Sequence, residues 1–335
     1  MKSHICECKE KLDSNLYEEN LSFYMLNFAL IFLCFLLGMG LRKLGRFPSN
    51  AGPALNAFII HVSLPAVVLT QLPALLTQPL SLAMLAPIAM PWILFGLAFV
   101  FFRWWGNRMG WSRALIGGLT LTAGLGNTSF VGFPLLEALV GKHAIGVGVL
   151  LDQLGTFLVL STLGLIAAVH FSAASKTAPG WKQTLKRVFQ FPPFLALLVS
   201  FVWALLGYQE GNDLHKVLER LAGTLVPLAL VAVGLQLHLS REILALRWKP
   251  LITGLTFKLV LAPVFFTVLY GLLFPAKSEI IHITLLEAAM APMITAAVVA
   301  NEFELDGELA NLMVGLGIPL SLLTVPIWHY FILGV

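Results

Sequence analysis

The stretch GLGNTSFVGFP, residues 124–134, decides how this chain folds. It interrupts an apolar segment, residues 114–140, that would otherwise form one continuous membrane helix. Near the middle of the bilayer, the stretch contains three glycines, an Asn-Thr-Ser run and a proline. Unpaired backbone groups at that depth cost several kcal/mol each unless they line a cavity enclosed by protein. We therefore predict a broken helix at mid-membrane, which is typical of substrate or ion sites in secondary transporters.

The composition indicates a polytopic membrane protein. Of the 335 residues, 58% are hydrophobic and 11% are charged, and the mean hydropathy is +0.87, whereas soluble domains carry about 25% charged residues. The net charge of +4 does not indicate nucleic acid, because the basic residues are spread over short loops. The cysteine pair Cys6 and Cys8 lacks the further ligands of a metal site. We expect neither a metal nor another cofactor.

Ten apolar segments are long enough to cross a bilayer. They lie at residues 24–41, 51–72, 80–102, 114–140, 144–170, 191–208, 218–239, 250–273, 279–301 and 309–333, and are numbered as spans 1 to 10. The expected fold class is therefore an all-α polytopic membrane protein with ten transmembrane helices.

Polar segments divide the chain into two halves. Residues 1–23 form a polar tail without the apolar core or the cleavage site of a signal peptide. Residues 24–170 and residues 191–335 hold five spans each, and the basic segment 171–190 is predicted to be a cytoplasmic linker between them.

Loop charges predict the orientation of the spans. The loops after spans 1, 3, 5 and 7 hold thirteen basic residues: Arg42, Lys43, Arg46, Arg103, Arg108, Arg113, Lys176, Lys182, Lys186, Arg187, Arg241, Arg247 and Lys249. Loops rich in Lys and Arg stay in the cytoplasm, so we predict that these are cytoplasmic and that both termini lie outside. The expected location is the plasma membrane, which in a bacterium is the inner membrane. Tryptophans such as Trp92 and Trp328 fit interfacial belts.

Prolines recur at matching places in the two halves. Pro65 in span 2 is followed 69 residues later by Pro134 in span 4, and Pro227 in span 7 is followed 65 residues later by Pro292 in span 9. Because five is an odd number, two repeats of five spans must lie inverted in the membrane. We therefore predict two inverted repeats whose broken helices 4 and 9, interrupted at Pro134 and Pro292, cross at mid-membrane.

Asn127, Thr128 and Ser129 place polar side chains at the first break. One interpretation is that they hydrogen-bond to backbone groups that the kink leaves free. The other is that Asn127 faces a cavity and binds a substrate. Half-helix N-termini at Pro134 and near Pro292 would aim partial positive charge at this centre, which suits a carboxylate.

Asp152, Gln153, Lys258 and Glu287 are polar residues within apolar spans. A charged side chain at this depth is expensive, and by default it marks a proton or ion pathway. We expect Asp152 in span 5 and Lys258 in span 8 to approach each other or the breaks, and we assign all four residues to coupling. The alternatives are a structural ion pair and long side chains that extend to the membrane surface.

Several motifs resemble the auxin efflux carrier family in order along the chain. Residues 126–136 read GNTSFVGFPLL, which resembles the family's first crossover, and residues 55–69 read LNAFIIHVSLPAVVL, like its second helix. Residues 257–263, FKLVLAP, resemble the eighth helix, and residues 150–160, LLDQLGTFLVL, are similar to helix 5 of bacterial members. Residues 287–311, EAAMAPMITAAVVANEFELDGELAN, resemble the family's second crossover, in helix 9, and the segment after it.

The resemblance implies the inverted-repeat fold shared with bile-acid/sodium symporters and sodium/proton antiporters, whose members are commonly dimers. It implies a scaffold domain that moves past a transport domain. It places the substrate site at the crossover and the second helix, with the residues Asn127, Thr128, Pro134, Pro292, Met293 and Asn56. From its position alone, Asn56 is instead an interhelical hydrogen-bonding residue.

We predict a secondary active transporter of small organic anions that works by alternating access, and the resemblance implies malate or related carboxylates as its substrates. Coupling would be to protons or to the membrane potential. Within the same class, the alternative is a sodium-coupled organic anion symporter of the bile-acid type. From another class, the alternative is a channel or a membrane protein that transports nothing. We expect no enzymatic activity, because neither HExxH nor GxSxG occurs.

Overall fold

The structure is a computed structural model. It describes residues 26, 28–45, 47–48, 50–77, 81–172, 180–207, 211, 213–236, 241–274 and 278–333. The predicted polar tail, residues 1–23, lies outside the described residues, as do residues 173–179 of the predicted linker.

Helices account for all regular structure in these ranges, and each takes the number of the predicted span that it occupies. Parts a and b of one number are separated by a break or a bend. The helices are α1 (28–43), α2 (Ala51–Leu76), α3 (Leu82–Arg108), α4a (Arg113–Gly124), α4b (Thr128–Leu139), α5 (Lys142–Phe171), α6a (Trp181–Gln190), α6b (Pro192–Leu205), α7 (Asp213–Gln236), α8 (Leu244–Leu273), α9a (Glu279–Ala288), α9b (Ile294–Glu302) and α10 (Gly307–Leu333).

Six of these helices, α2, α3, α5, α7, α8 and α10, are long and apolar enough to cross a membrane. This finding confirms the prediction of an all-helical chain with several membrane spans. The other predicted spans are α1, α6b and the broken helices α4 and α9, and each continuous piece of them is shorter. The helix α6b has 14 residues and is bent by 72° from α6a. Ten spans in two inverted repeats stay a prediction.

The first break lies at residues 125–127 and not at Pro134, so that part of the prediction was wrong. Pro134 is buried inside α4b. A proline lacks the N–H of a helical hydrogen bond, and its ring collides with the carbonyl four residues earlier. In the wide π-helical turn Thr128–Gly132, the amide of Gly132 donates to the carbonyl of Asn127, five residues earlier, at 3.0 Å. This turn opens the helix before the proline ring and removes the conflict.

The predicted linker, residues 171–190, contains a helix. This helix, α6a, carries the basic residues Lys182 and Lys186 and the exposed apolar residues Trp181 and Leu185. An amphipathic helix of this composition is typical of a segment that lies along a membrane surface.

Two hydrophobic clusters fill the interior. The first cluster joins α3, α4a, α8 and α9b around Phe102 and Leu119. The second joins α1, α2, α4b, α6b and α7 around Ile59 and Leu230. Helices α5, α9a and α10 contribute to both clusters. The breaks in α4 and α9 therefore lie where the two clusters meet.

Helices α1 and α7 touch through their backbones at Gly38 and Gly234. A Cβ atom added at Gly38 would lie 2.3 Å from the carbonyl oxygen of Val231, and one at Gly234 would lie 2.3 Å from the carbonyl oxygen of Phe35. Only glycine permits this approach, which small residues also provide between helices in membranes.

Candidate functional site

The two breaks bind each other through their backbones. The amide of Asn127 donates to the carbonyl of Ala291 at 2.7 Å, and the amide of Met293 donates to the carbonyl of Leu125 at 3.0 Å. Gly126 stands opposite Pro292 in this short antiparallel bridge. Backbone groups that the breaks remove from helical bonding are thereby paired, as a low-dielectric interior requires. We call this pairing the crossing.

Lys258 of α8 reaches the crossing from outside it. Its ammonium is fully buried, and Nζ donates to the carbonyl of Ala288, the last residue of α9a, at 2.9 Å. A Cβ atom added at Gly126 would lie 3.3 Å from this Nζ. The ammonium therefore lies beside the backbone of Gly126 in the first break. It also stabilises the carboxyl end of α9a, where the helix dipole is negative.

Asn127 and Thr128 bring side-chain chemistry to the crossing. Asn127 is 3% exposed, and its side-chain Nδ2 finds no hydrogen-bond partner within the described part of the chain. The hydroxyl of Thr128 donates to Oδ1 of Asp152 at 2.5 Å. The first break is therefore connected directly to α5, and it also holds an amide donor that is available to a ligand.

Asp152 lies on a wide turn of α5, Leu151–Thr156, and its carboxylate is buried. Its second oxygen, Oδ2, accepts from Nε2 of Gln153 at 2.7 Å. The other amide atom of Gln153, Oε1, and the hydroxyl of Thr156 have no partner among the described residues. Thr156 was missed by the sequence reasoning, although it follows Asp152 by four residues and therefore shares its helix face.

Glu287 is the most isolated polar group of this region. Its side chain is 0% exposed, and neither carboxylate oxygen has a hydrogen-bond partner in the described ranges. A Cβ atom added at Gly132 would lie 2.8 Å from both oxygens, so the carboxylate packs against the backbone of the wide turn in α4b. It lies within electrostatic range of Lys258 and Asp152. The structure thus brings Asp152, Lys258 and Glu287 together around the crossing.

Two tryptophans stabilise the turns that carry these charges. The indole N–H of Trp92 in α3 donates to the carbonyl of Leu154, within the wide turn of α5, at 3.2 Å. The indole N–H of Trp328 in α10 donates to the carbonyl of Leu259 at 2.9 Å, within the wide turn Phe257–Leu261 that holds Lys258. Their assignment to interfacial belts was therefore incomplete. For Trp92, its place near the middle of span 3 was the available signal.

Two predicted substrate residues lie elsewhere. The side chain of Asn56 in α2 donates through Nδ2 to Oε1 of Gln236 in α7 at 3.3 Å, as an interhelical hydrogen-bonding residue does. Pro134 lines a cavity of about 250 Å³ near Lys142. Of the predicted substrate residues, Asn127, Thr128, Pro292 and Met293 are the four at the crossing.

Cavities approach the crossing from opposite ends. The larger one, about 570 Å³, lies where α1 ends and α2 begins, and it reaches Ile294 at the start of α9b. We call it the Arg42 cleft after the charged residue in its wall. The smaller one lies at the other end, where Lys142 and Glu219 form an ion pair at 2.8 Å between α5 and α7. The cavity at the Arg42 end is therefore the larger of these two.

The arrangement is not that of a transition-metal site. In the ranges that the structure describes, no group of three or more His, Cys, Asp or Glu side chains is placed to hold a metal ion. The region offers amide and hydroxyl groups, two carboxylates and one ammonium, which suit a small polar ligand, a proton or a hard monovalent cation.

Comparison with known families decides the class of protein. The family described as "Membrane transport protein" matches residues 23–329. The chain belongs to this family. It is therefore a multi-pass integral membrane protein of a transporter family and not an enzyme.

Three relatives agree with this assignment. An uncharacterized transporter of Methanothermobacter thermautotrophicus is 29% identical over 294 residues, 88% of this chain and 93% of the relative. An uncharacterized transporter of Methanocaldococcus jannaschii is 25% identical over 222 residues, 65% of this chain and 69% of the relative. A probable auxin efflux carrier component of Oryza sativa is 26% identical over 182 residues, 51% of this chain and 42% of the relative. The resemblance to auxin efflux carriers is thereby confirmed.

Proposed function

We propose that this membrane transport protein is a secondary active carrier of small organic anions, such as malate or related carboxylates. The observation that carries the proposal is the unpartnered amide donor Nδ2 of Asn127 beside the buried crossing. A buried donor needs an acceptor, and a substrate carboxylate supplies one. The rice relative is named as an auxin efflux carrier, and auxin is itself an organic anion, which supports the same substrate class.

The transport cycle in this proposal is alternating access by a ten-span inverted repeat. Three features support it: both halves contain a broken helix, the two breaks meet, and cavities of unequal volume lie at opposite ends of the crossing. The cavities are separated by buried residues, which favours a carrier over a channel. We further propose that both termini lie on the non-cytoplasmic side of a bacterial-type inner membrane and that the carrier is a homodimer.

Coupling follows from the charges around the crossing. Two carboxylates, Asp152 and Glu287, accompany one ammonium, that of Lys258, and all three side chains are buried. If all three were ionised, one negative charge would remain uncompensated, which is expensive in a low-dielectric interior. A proton on one carboxylate removes this charge. We therefore propose that Asp152, Gln153, Lys258 and Glu287 couple transport to protons.

A sodium-coupled carrier is the second candidate, and one observation favours it. Gln153 Oε1 and Thr156 Oγ1 are buried oxygens without partners in the described part of the chain, close to the Asp152 carboxylate. Hard cations are held by sets of carboxylate, amide and hydroxyl oxygens. A sodium ion would supply the same missing positive charge as the proton.

The deciding experiment is solid-supported-membrane electrophysiology on the purified protein in liposomes. The panel holds C3–C6 mono- and dicarboxylates and indole acids, each tested with and without sodium and a pH gradient. We expect a saturable current with at least one anion. The Asn127→Ala variant should lose about tenfold to a hundredfold in affinity for that anion, since hydrogen bonds to charged groups contribute about 1.5–3 kcal/mol.

Asn107→Ala is the matched control, because Asn107 is exposed at the end of α3. It should leave the current unchanged. A current that does not saturate, or that shows no counterflow, would identify a channel. Silence across the panel with correctly folded protein would remove organic anions as the substrate class.

Asp152→Asn tests the coupling separately. The amide keeps the size of the side chain but cannot bind and release a proton. We expect substrate binding to be preserved and the dependence of transport on pH to disappear. Equal loss of binding in Asp152→Asn and Asn127→Ala would instead make Asp152 part of the substrate site, and a strict sodium requirement would favour the second candidate.

A further inference from the structure

The Arg42 cleft has properties of a ligand site that the crossing itself does not share. Its volume of about 570 Å³ lies within the usual range of small-molecule pockets, about 300–1,000 Å³. Its walls come from the end of α1, the start of α2, the end of α7, and from α9b and α10. Asn127 is not among its lining residues. A ligand in the cleft would therefore use a different set of groups.

The cleft carries one kind of charge. Arg42 is half-buried, and among the described residues that line the cleft it is the charged one, with neither Asp nor Glu beside it. No hydrogen bond or ion pair joins its guanidinium to another described residue. A guanidinium presents five donors in a fixed fork that matches a carboxylate. Within the described lining of the cleft nothing completes its hydrogen bonding, and a bound carboxylate would do so.

Two helix N-termini add to this charge. Helix α9b begins at Ile294 and helix α2 begins at Ala51, and both residues line the cleft. Neither helix has a side chain that caps its first amides. The start of a helix carries partial positive charge. In α2 the amide of Ala51 already donates to the carbonyl of Pro48 at 2.9 Å and Pro53 has no N–H, so free N–H donors come chiefly from α9b. The carboxyl end of α7 also lines the cleft, and its partial negative charge weakly offsets that of the two N-termini. There the side chain of Gln236 already donates to the carbonyl of Ala232 at 2.9 Å.

The cleft is also joined to the crossing. Ile294 directly follows Met293, whose amide is bonded to Leu125 across the breaks. The wall of the cleft is therefore one residue away, along the chain, from the crossing. Lys43, the next residue after Arg42, is exposed and is not part of the lining.

We propose that the Arg42 cleft is an anion-binding site for small carboxylates, in which the Arg42 guanidinium binds the carboxylate and determines the preference for anions over neutral analogues. This deepens the proposed function, on which its substrate class rests. An anion that enters from the Arg42 end would bind Arg42 before it contacts Asn127.

The test has two arms on the full chain in liposomes. In the first, phenylglyoxal modifies accessible arginines, and peptide mass spectrometry measures the labelling of Arg42 with malate, malonate or neutral malonamide present. We expect malate or malonate, but not malonamide, to slow the labelling of Arg42 by at least about tenfold, which corresponds to saturation of the site. Arg108, exposed and seated 4.9 Å from the ring of Trp104, should label at the same rate throughout.

The second arm measures transport by variants. Arg42→Gln should raise the half-saturating anion concentration at least about tenfold, and Arg42→Lys should raise it less, because an ammonium keeps the charge but loses the fork. Lys43→Gln should match the wild type. Equal effects of Arg42→Gln and Lys43→Gln, or unchanged transport in Arg42→Gln, would overturn the inference.

The two arms separate this inference from the proposed function. Carboxylate protection of Arg42 without any transport would keep the anion site and reject the carrier. Transport of an anion without protection of Arg42 would keep the carrier and reject the site. If the carboxylates neither protect Arg42 nor are transported, both the anion site and the carrier are rejected.

Discussion

The two breaks that form the crossing differ in what they contribute. The first break and its wide turn contain Asn127 and Thr128, whose side chains offer a free donor and a bond to Asp152. The second break, residues 289–293, reads AMAPM and contains no polar side chain. It contributes backbone instead, since the carbonyls of Ala288 and Ala291 accept from Lys258 and from the first break.

This difference teaches that similar breaks in two halves need not perform the same chemistry. In the first, function depends on side chains, and substitutions there should alter binding. In the second, the backbone must be held in place, and substitutions around it should alter stability.

The largest effect is expected for Lys258→Met, which removes the cation that stabilises the second break. It leaves the Ala288 carbonyl and two buried carboxylates without their positive partner. Removing one partner of a buried charge set costs about 3–5 kcal/mol. We expect a loss of this size in the free energy of unfolding, measured by thermal and denaturant unfolding in detergent.

Lys249→Met is the control, because Lys249 is exposed and lies 5.6 Å from the ring of Trp248. Its free energy of unfolding should change by much less than that of Lys258→Met. Adding Glu287→Gln to Lys258→Met should restore part of the stability. If the two lysine variants were equally stable, the second break would not depend on the ammonium.

Thr128→Val should have the next largest effect. The isosteric change removes the hydroxyl that donates to Asp152 and leaves the carboxylate with fewer donors, Gln153 and Ser129. Hydrogen bonds to charged groups contribute about 1.5–3 kcal/mol, so we expect the free energy of unfolding to fall by an amount in that range. We also expect a changed pH dependence of transport.

Thr122→Val provides the comparison for this variant. Thr122 is buried in α4a, and its hydroxyl donates only to the backbone carbonyl of Gly118 at 2.7 Å. The free energy of unfolding of this variant should fall by less, about 1 kcal/mol, and the pH dependence of transport should stay as in the wild type. Identical pH profiles for both variants would show that the bond between Thr128 and Asp152 has no part in the pH dependence of transport.

Gly317→Ala should have the smallest effect and should act on stability alone. An added Cβ would lie 2.4 Å from Cδ of Pro292, so the methyl group overpacks the rigid second break. Overpacking costs about 1–3 kcal/mol. Thermal unfolding should show this loss while the anion affinity per folded molecule stays constant. Gly271→Ala in α8, where no atom lies within 4 Å of the new Cβ, should be neutral.

Much of the architecture could be predicted because it depends on local properties. Apolar length predicts the helices, and the Gly-Asn-Thr-Ser run predicts an interruption in α4. Placing that interruption at Pro134 was wrong because the proline was judged alone. The wide turn before it, which depends on Asn127 and Gly132, lets the ring fit inside a helix.

The contacts within the site could be predicted only in part. Charge and burial marked Asp152, Lys258 and Glu287 as unusual, because any ionisable group in an apolar span is expensive. The bridge between Gly126 and Pro292 joins residues far apart in the chain, and no local pattern encodes such a pairing. The same holds for Trp92, whose indole finds a carbonyl 62 residues later in the sequence.

The bridge between the breaks has a mechanical consequence. Its two hydrogen bonds connect four half-helices at one point, α4a, α4b, α9a and α9b. Separating them would expose two amides and two carbonyls to a dry interior, at several kcal/mol for each group. We therefore expect that a movement of any one of these half-helices carries the other three with it, so that a displacement at one end of the crossing is felt at the other.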